Sequence, residues 1–408
     1  MVQRNYSRSR HRDQNHNAAH ATDHAPEQAM HHQLVPKGPA PLIATSDGLD
    51  ELLAHLRAAG RFAYDSEFIG ELTYLPKLCV IQVATSQRVA LIDPLAGLNL
   101  TPFWEVLCDP SIEKIVHAGQ QDIEPVFRFT QRAPANIFDT QIAAGFIALP
   151  YPVSLSKLVM ELTGAKLGKG LTFTHWDQRP LSAMQLRYAA DDVRYLPLLR
   201  EEIGNRLAAA GHAEWAMEEC AAQCEPSVYQ FDPDVQYLRV RGVGSLAPQG
   251  LAILRELTIW RDGAARAEDV PPRTMLRDEI LVDIARSPVT SAEKLSRVRG
   301  LPRPVESAHG QQLVDAVNRA MAMPESSYPQ PRETEQSPTE RFRADALWAR
   351  AQMLCYEQKI DPALVSSRQE IGEFYRAVTT GKSVDQHHLM TGWRKTACGE
   401  RLLEQLRI

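Results

Sequence analysis

The chain has 408 residues, 44% of them hydrophobic, and a formal net charge of −5. That length allows roughly two to three domains with packed cores, and the slight acidity excludes a polycation that holds nucleic acid through bulk charge. No apolar run approaches the roughly 20 residues of a membrane helix and no apolar core follows the N-terminus, so a cytoplasmic protein with no membrane contact is expected.

In chain order, residues 1 to 36 are polar and include His11, His16, His20, His24, His31 and His32. With almost no large apolar side chains this segment cannot offset its ordering entropy, and a disordered tail is expected. "DGLDELLAHLRAAG" then has helical spacing, with Asp47 as candidate cap and Gly60 as stop. "RFAYDSEF", "KLCVIQVAT", "RVALIDP" and "EKIVHAG" are rich in Val, Ile and aromatics and read as strands. The first three follow through short links, an antiparallel meander, and the fourth runs into the helical "QQDIEPVFRF" as a βα step. Helical patterns follow at 154 to 164 and from Ser182 to about Ala210, with Gly168, Gly170 and Pro180 in the loop between. A mixed α/β sheet over 37–226 is the expectation.

Strands disappear after about 225. Helical period fills 227–321, a Pro, Ser and Glu-rich linker is expected at 322–340, and a last helical unit at 341–408. Six cysteines, at 79, 108, 220, 224, 355 and 398, complete no zinc set and fit reduced thiols in a cytoplasmic protein.

The first strand carries the chemistry. Asp65 and Glu67 are two apart and share a strand face between Phe62, Tyr64 and Phe68, where burial and like charge both cost energy. Asp122 lies just inside the helix after "KIVHAG", where a helix N-terminus favours a carboxylate. In "RYAADDVRYL", Tyr188 and Asp192 are four apart and share a helix face, with Asp191, three from Tyr188, as a competitor. Four carboxylates from three elements form an oxygen-only set suited to two divalent ions, Mg²⁺ or Mn²⁺. Two such ions stabilise the attacking and leaving oxygens of an in-line phosphoryl displacement, while a tyrosine hydroxyl orients or deprotonates the water.

"YDSEF", "HAGQQD" and "YAADD" resemble the three motifs of the DEDD 3′→5′ exonucleases in their tyrosine form, in order and spacing. "LTYLPKLCVIQVAT", "NIFDTQIAA" and "HWDQRPLSAMQLRYAADDVRYL" resemble the ribonuclease D family more closely still. The resemblance implies a ribonuclease H-like exonuclease fold, with Asp65, Glu67, Asp122 and Asp192 as metal ligands and Tyr188 positioning the water. It selects Asp192 over Asp191, because the motif is Tyr, three residues, Asp. Asp139 of "FDT" becomes a supporting acid, and Phe68, Gln82, His117, Trp176 and Arg179 are expected to face the substrate, Phe68 by stacking on the terminal base. His175 departs from the acidic residue that relatives often carry before this tryptophan.

Residues 235 to 320, with "LAILRELTIWRDGAARAEDVPPRTMLRDEILVDIA", resemble the HRDC helical module, and 341 to 408 resemble its divergent second copy. Arg239, Arg241, Arg297, Arg299 and Arg303 are candidate phosphate contacts there. The expected activity is metal-dependent removal of 5′-mononucleotides from RNA 3′ ends, with a single-stranded 3′ end as the bound partner and precursor tRNA as the family-implied substrate. No obligate protein partner is evident. A 3′→5′ DNA exonuclease and a catalytically silent RNA-binding scaffold are the alternatives.

Overall fold

The computed structural model describes residues 32–70, 72–168, 174–331 and 337–406. Most of the segment read as a tail therefore lies outside the described residues. Its last part does not stay apart: Val35 is buried in the core and Leu34 packs beside it.

Six strands form one mixed sheet: β1 (Leu42–Ile43), β2 (Arg61–Ile69), β3 (Lys77–Ala84), β4 (Val89–Ile92), β5 (Glu113–Val116) and β6 (Ile137–Asp139). Their spatial order is β1-β4-β3-β2-β5-β6. β2, β3 and β4 are the expected antiparallel meander, and β1, β5 and β6 add in parallel. The two edge strands β1 and β6 are too short to show an alternation in sequence, and were not expected. β3 is buried along its length after Lys77, which fits an unbroken apolar run covered by helices on both sides.

The helices around the sheet are α1 (Ser46–Ala59), α2 (Thr101–Cys108), α3 (Gln120–Thr130), α4 (Thr140–Ala144), α5 (Leu155–Thr163), α6 (Ala183–Arg194), α7 (Leu196–Ala210) and α8 (Ala213–Ala222). α1 buries Leu49, Leu52, Leu53 and Leu56 and ends at Gly60, whose φ of 65° suits a residue without a Cβ. Its cap is Thr45, which accepts from Gly48 N, while Asp47 sits in the first turn and complements the helix dipole instead. The single helix expected from Ser182 to Ala210 is two. Pro197 lies in the first turn of α7, where its missing N–H breaks no hydrogen bond, so the chain restarts at Tyr195.

The first helical unit, built on α9 (Pro248–Ala267), α10 (Asp278–Arg286) and α11 (Arg303–Met321), has a hydrophobic core of its own around Leu257, Ile284, Leu313 and Val317. Tyr74, from the β2–β3 connection, docks on it: its hydroxyl donates to Asp262 at 2.6 Å and accepts from Arg266 at 2.9 Å. The expected linker is shorter than 322–340. Tyr328 is buried in the first unit's core, and Ser337 caps α12 (Pro338–Glu357) by accepting from Glu340 N. With α13 (Arg368–Thr379) and α14 (Glu400–Leu406), this C-terminal unit shares one continuous core with the sheet domain, joining Leu354, Phe374 and Trp393 to Phe146, Leu199 and Cys220.

Candidate active site

β2 presents the first two acids. Asp65 lies opposite Gln82 and Glu67 opposite Val80, and the register slips between Glu67 and Phe68. A bulge at that point bends the strand and re-aims the next side chain. Asp65, Ser66, Glu67 and Phe68 all line a pocket of about 300 Å³, together with His117, Ala118, Gln121, Asp122, Leu155, Tyr188 and Asp192. A larger hollow of about 650 Å³ near the start of β2, lined by residues such as His55, Arg61 and Glu201, gathers no comparable set.

Asp122 enters from the first turn of α3, which is set by the tight turn after β5. Ala118 there has a φ of 57°, and a Cβ on Gly119 would stand 2.5 Å from that of Val116. The turn is held by Asp139, whose two carboxylate oxygens accept from Ala118 N and Gly119 N, each at 3.0 Å. Asp139 also caps α4. β2 meets Asp122 from the other side: Ser66 Oγ donates to its Oδ1 at 2.6 Å and Tyr64 Oη to its backbone carbonyl at 2.6 Å. Ser66 and Tyr64 are functional neighbours that the motif reading passed over. Their position between and before the two acids, facing the opposite side of the strand, is the signal that could have found them.

α6 brings the last pair, fixed at its start by a capping box between Ser182 and Gln185. Tyr188 and Asp192 both face the pocket. Asp191 turns to Arg187 and Arg194 at 3.7 and 3.3 Å.

Burial and mutual repulsion dominate the electrostatics. Burial, less a hydrogen bond from Ser66 N, pushes the Asp65 carboxyl up to about 6. Burial and then the charges of Asp65 and Asp192 push Glu67 up to about 9. Burial and Asp65 push Asp192 up to about 8, against a hydrogen bond from Tyr188. Asp122 is raised well above the usual range by burial and then by Asp65. Burial followed by Asp192 and Glu67 pushes the Tyr188 hydroxyl far up, so it keeps its proton at neutral pH. No Lys or Arg is among the lining residues. In donor type and charge this set fits hard divalent cations. In spacing it is not a closed cage: among the described residues no three His, Cys, Asp or Glu side chains already converge on one point. A cation would have to draw the carboxylates together against the repulsion that spreads them.

The expected substrate contacts divide. Phe68 lines the pocket, and so does His117, but both ring nitrogens of His117 are engaged, with Thr140 Oγ1 at 2.9 Å and Val153 O at 3.0 Å. Three expectations need correction. Gln82 is fully buried on a strand covered by α6, so it cannot touch substrate; both of its amide atoms lack a partner. Trp176 is also buried and packs on the Tyr188 ring, 6.1 Å between centroids. Arg179 spends its donors on Asp93, at 2.7 and 2.6 Å, and on the carbonyls of Trp176, Gln178 and Cys79. Of the five arginines expected to meet phosphate, Arg297 and Arg299 line a groove on the first helical unit, beside Arg286 and Lys294.

Comparison with known proteins adds a second line of observation. A 3′→5′ exonuclease family model matches residues 41–208 and an HRDC domain model matches 250–317. The chain is 33% identical to ribonuclease D of Gluconacetobacter diazotrophicus over 368 residues, 89% of this chain and 91% of that one. Ribonuclease D of Zymomonas mobilis is 33% identical over 368 residues, 89% of this chain and 93% of that one. Among solved structures, Escherichia coli RNase D, described as an exoribonuclease involved in structured RNA processing, superposes with a TM-score of 0.79 at 30% identity, covering 91% of this chain and 99% of that one.

Proposed function

The chain belongs to the ribonuclease D family of 3′→5′ exoribonucleases, and from that premise we propose that the pocket between β2, α3 and α6 is where RNA 3′ ends are hydrolysed. The observation that carries this is four carboxylates, Asp122 buried and Asp65, Glu67 and Asp192 half-buried, in one pocket with no Lys or Arg among its lining. Asp65, Glu67, Asp122 and Asp192 would hold the divalent cations on which the reaction depends, two by this reading. When bound, such cations neutralise the phosphate charge and polarise the attacking and leaving oxygens.

The remaining work falls to the chain's own atoms. A water oxygen bonds to the terminal phosphorus as the water gives up a proton to solvent, the P–O3′ bond breaks, and the departing 3′ oxygen takes up a proton from solvent, which leaves a nucleoside 5′-monophosphate and an RNA one residue shorter. The Tyr188 hydroxyl, protonated and one turn from Asp192, orients that water rather than deprotonating it. Phe68 offers an aromatic face to the last base, which suits an enzyme that must accept any of the four. Trp176 supports Tyr188 from beneath, and Asp139 supports Asp122 through the turn.

A single-stranded 3′ end enters this pocket, and Arg286, Lys294, Arg297 and Arg299 grip the phosphates of the RNA body. Precursor tRNA, with a folded body and a short 3′ trailer, matches that division of labour. The sheet domain at 37–226 performs the chemistry, and helical units on either side of the 332–336 segment select the molecule. Incubation with RNA and DNA of equal sequence, with Mg²⁺ or Mn²⁺ and then with EDTA, tests the proposal. RNA should shorten one nucleotide at a time to 5′-monophosphates, and EDTA should stop it. Internal cuts, 3′-phosphate products or a preference for DNA would each count against it.

A further inference from the structure

The C-terminal helical unit touches the sheet domain at α8, and α8 touches the catalytic turn. At the outer contact, Trp393 donates its backbone N–H to Glu218 at 3.0 Å and its indole N–H to Glu219 at 2.8 Å, and Arg394 donates to Glu219 at 2.7 Å. The Trp393 ring is 2% exposed and packs edge-on against Phe146 at 4.7 Å. Gly392, with a φ of 51° that suits a residue without a Cβ, begins the turn that brings Trp393 against α8 beside Glu218. One helical turn beyond Glu219, Gln223 donates its side-chain amide to Asp139 Oδ2 at 3.1 Å. Cys220 Sγ accepts from Asp139 N at 3.3 Å. Asp139 is 1% exposed, and besides capping α4 it holds Ala118 and Gly119, the turn that leads into the first turn of α3 and Asp122.

We propose that α8 is a positioning strut. The C-terminal unit clamps it through Glu218 and Glu219, and α8 in turn fixes the Asp139 carboxylate and the Ala118–Gly119 turn through Gln223. Gln223 is thus a positioning residue, and the C-terminal unit acts on turnover as well as on RNA binding. The physical argument is that Asp139 is oriented by several short bonds at once. The turn it holds contains a residue in the left-handed region, which persists only where its surroundings over-determine it. Small misplacements of a reacting set cost large factors in rate.

This rests on the exonuclease reading above, and the test separates the two. Gln223→Met keeps the volume and removes the donor. On a trinucleotide RNA its kcat should fall roughly tenfold, with KM within about twofold of the parent. Glu219→Ala should act in the same direction by loosening the clamp, and it leaves the Trp393 ring and its packing on Phe146 in place. Hydrogen exchange of the 113–122 peptide should rise in both variants. An unchanged kcat and exchange rate in Gln223→Met overturns the inference, as does a Glu219→Ala protein that only raises KM on long RNA. Should the parent release no mononucleotide, the proposed reaction is wrong, and the exchange measurement still decides whether α8 holds the turn.

Discussion

Asp278 in the first helical unit and Asp122 in the pocket are buried almost equally, 5% and 8% exposed, yet their environments treat the carboxylate in opposite ways. Burial alone would raise both. At Asp278, Arg261 at 2.7 Å and Arg273 at 3.1 Å more than offset it and hold the carboxyl below its usual range. At Asp122, burial is joined by the Asp65 charge, and the compensating partner is only the Ser66 hydroxyl. Depth pushes both acids up, and the partner then decides whether a buried acid ends above or below its usual range. The helical unit carries its cations as side chains, while the acid pocket, by the proposed reading, would draw them from solution.

The sharpest way to break that comparison is to remove one acid on each side. Asp65→Asn or Asp192→Asn should cut nucleotide release by about 10³-fold, equivalent to roughly 4 kcal/mol of transition-state stabilisation, with the fold intact. Unchanged turnover in either variant would sink the site assignment. Asp278→Asn should do the reverse. Breaking a buried pair leaves a guanidinium uncompensated and costs roughly 3 kcal/mol of stability, read as a lowered denaturant midpoint, with turnover per folded molecule preserved.

The acids were legible because their spacing is local. Two residues on a strand, or four on a helix, fix a shared face whatever the rest of the chain does. Asp65 with Glu67 needed nothing more; beside Tyr188, spacing left Asp191 and Asp192 both open, and the family motif selected Asp192. The errors lie where a partner comes from far along the chain. Arg179 reads as a substrate contact until Asp93, 86 residues earlier, takes up its fork. Trp393 and Glu219 are 174 residues apart, and no periodicity joins them. Gln82 sits in a run that shows a strand but not which helix covers it. The α6–α7 break was available in Pro197, but apolar spacing runs unbroken across that proline and hides it.

Tyr188→Phe tests the comparison at finer grain. The ring and its packing on Trp176 remain, and only the hydroxyl beside Asp192 is lost. If the tyrosine orients water, turnover on RNA should fall by about 30-fold, near 2 kcal/mol, while divalent-ion affinity measured by calorimetry stays the same. A variant that binds ions poorly would instead make Tyr188 part of the ligand set. Full activity would leave the hydroxyl without a role in the reaction.

The smallest effect distinguishes the two regions by the sign of a pH dependence. In the cation-free protein, Asp65, Asp192 and Glu67 are pushed up to about 6, 8 and 9, while unfolded carboxyls titrate at about 4. Between those values the folded pocket holds protons that the unfolded chain has released, so stability falls as pH rises. Asp278, held low, contributes stability that is present above its unfolded value and is lost only as pH falls through its folded one. In EDTA, the melting temperature should therefore drop by roughly 3 °C from about pH 6.5 to about pH 9. Asp192→Asn should make that slope shallower, and Asp278→Asn should leave it alone. Added Mn²⁺ should flatten it, because a cation satisfies the carboxylates in place of protons. A melting temperature that rises with pH, or a slope indifferent to Mn²⁺, would mean that the pocket's acids are compensated from within, and the contrast with the helical unit would collapse.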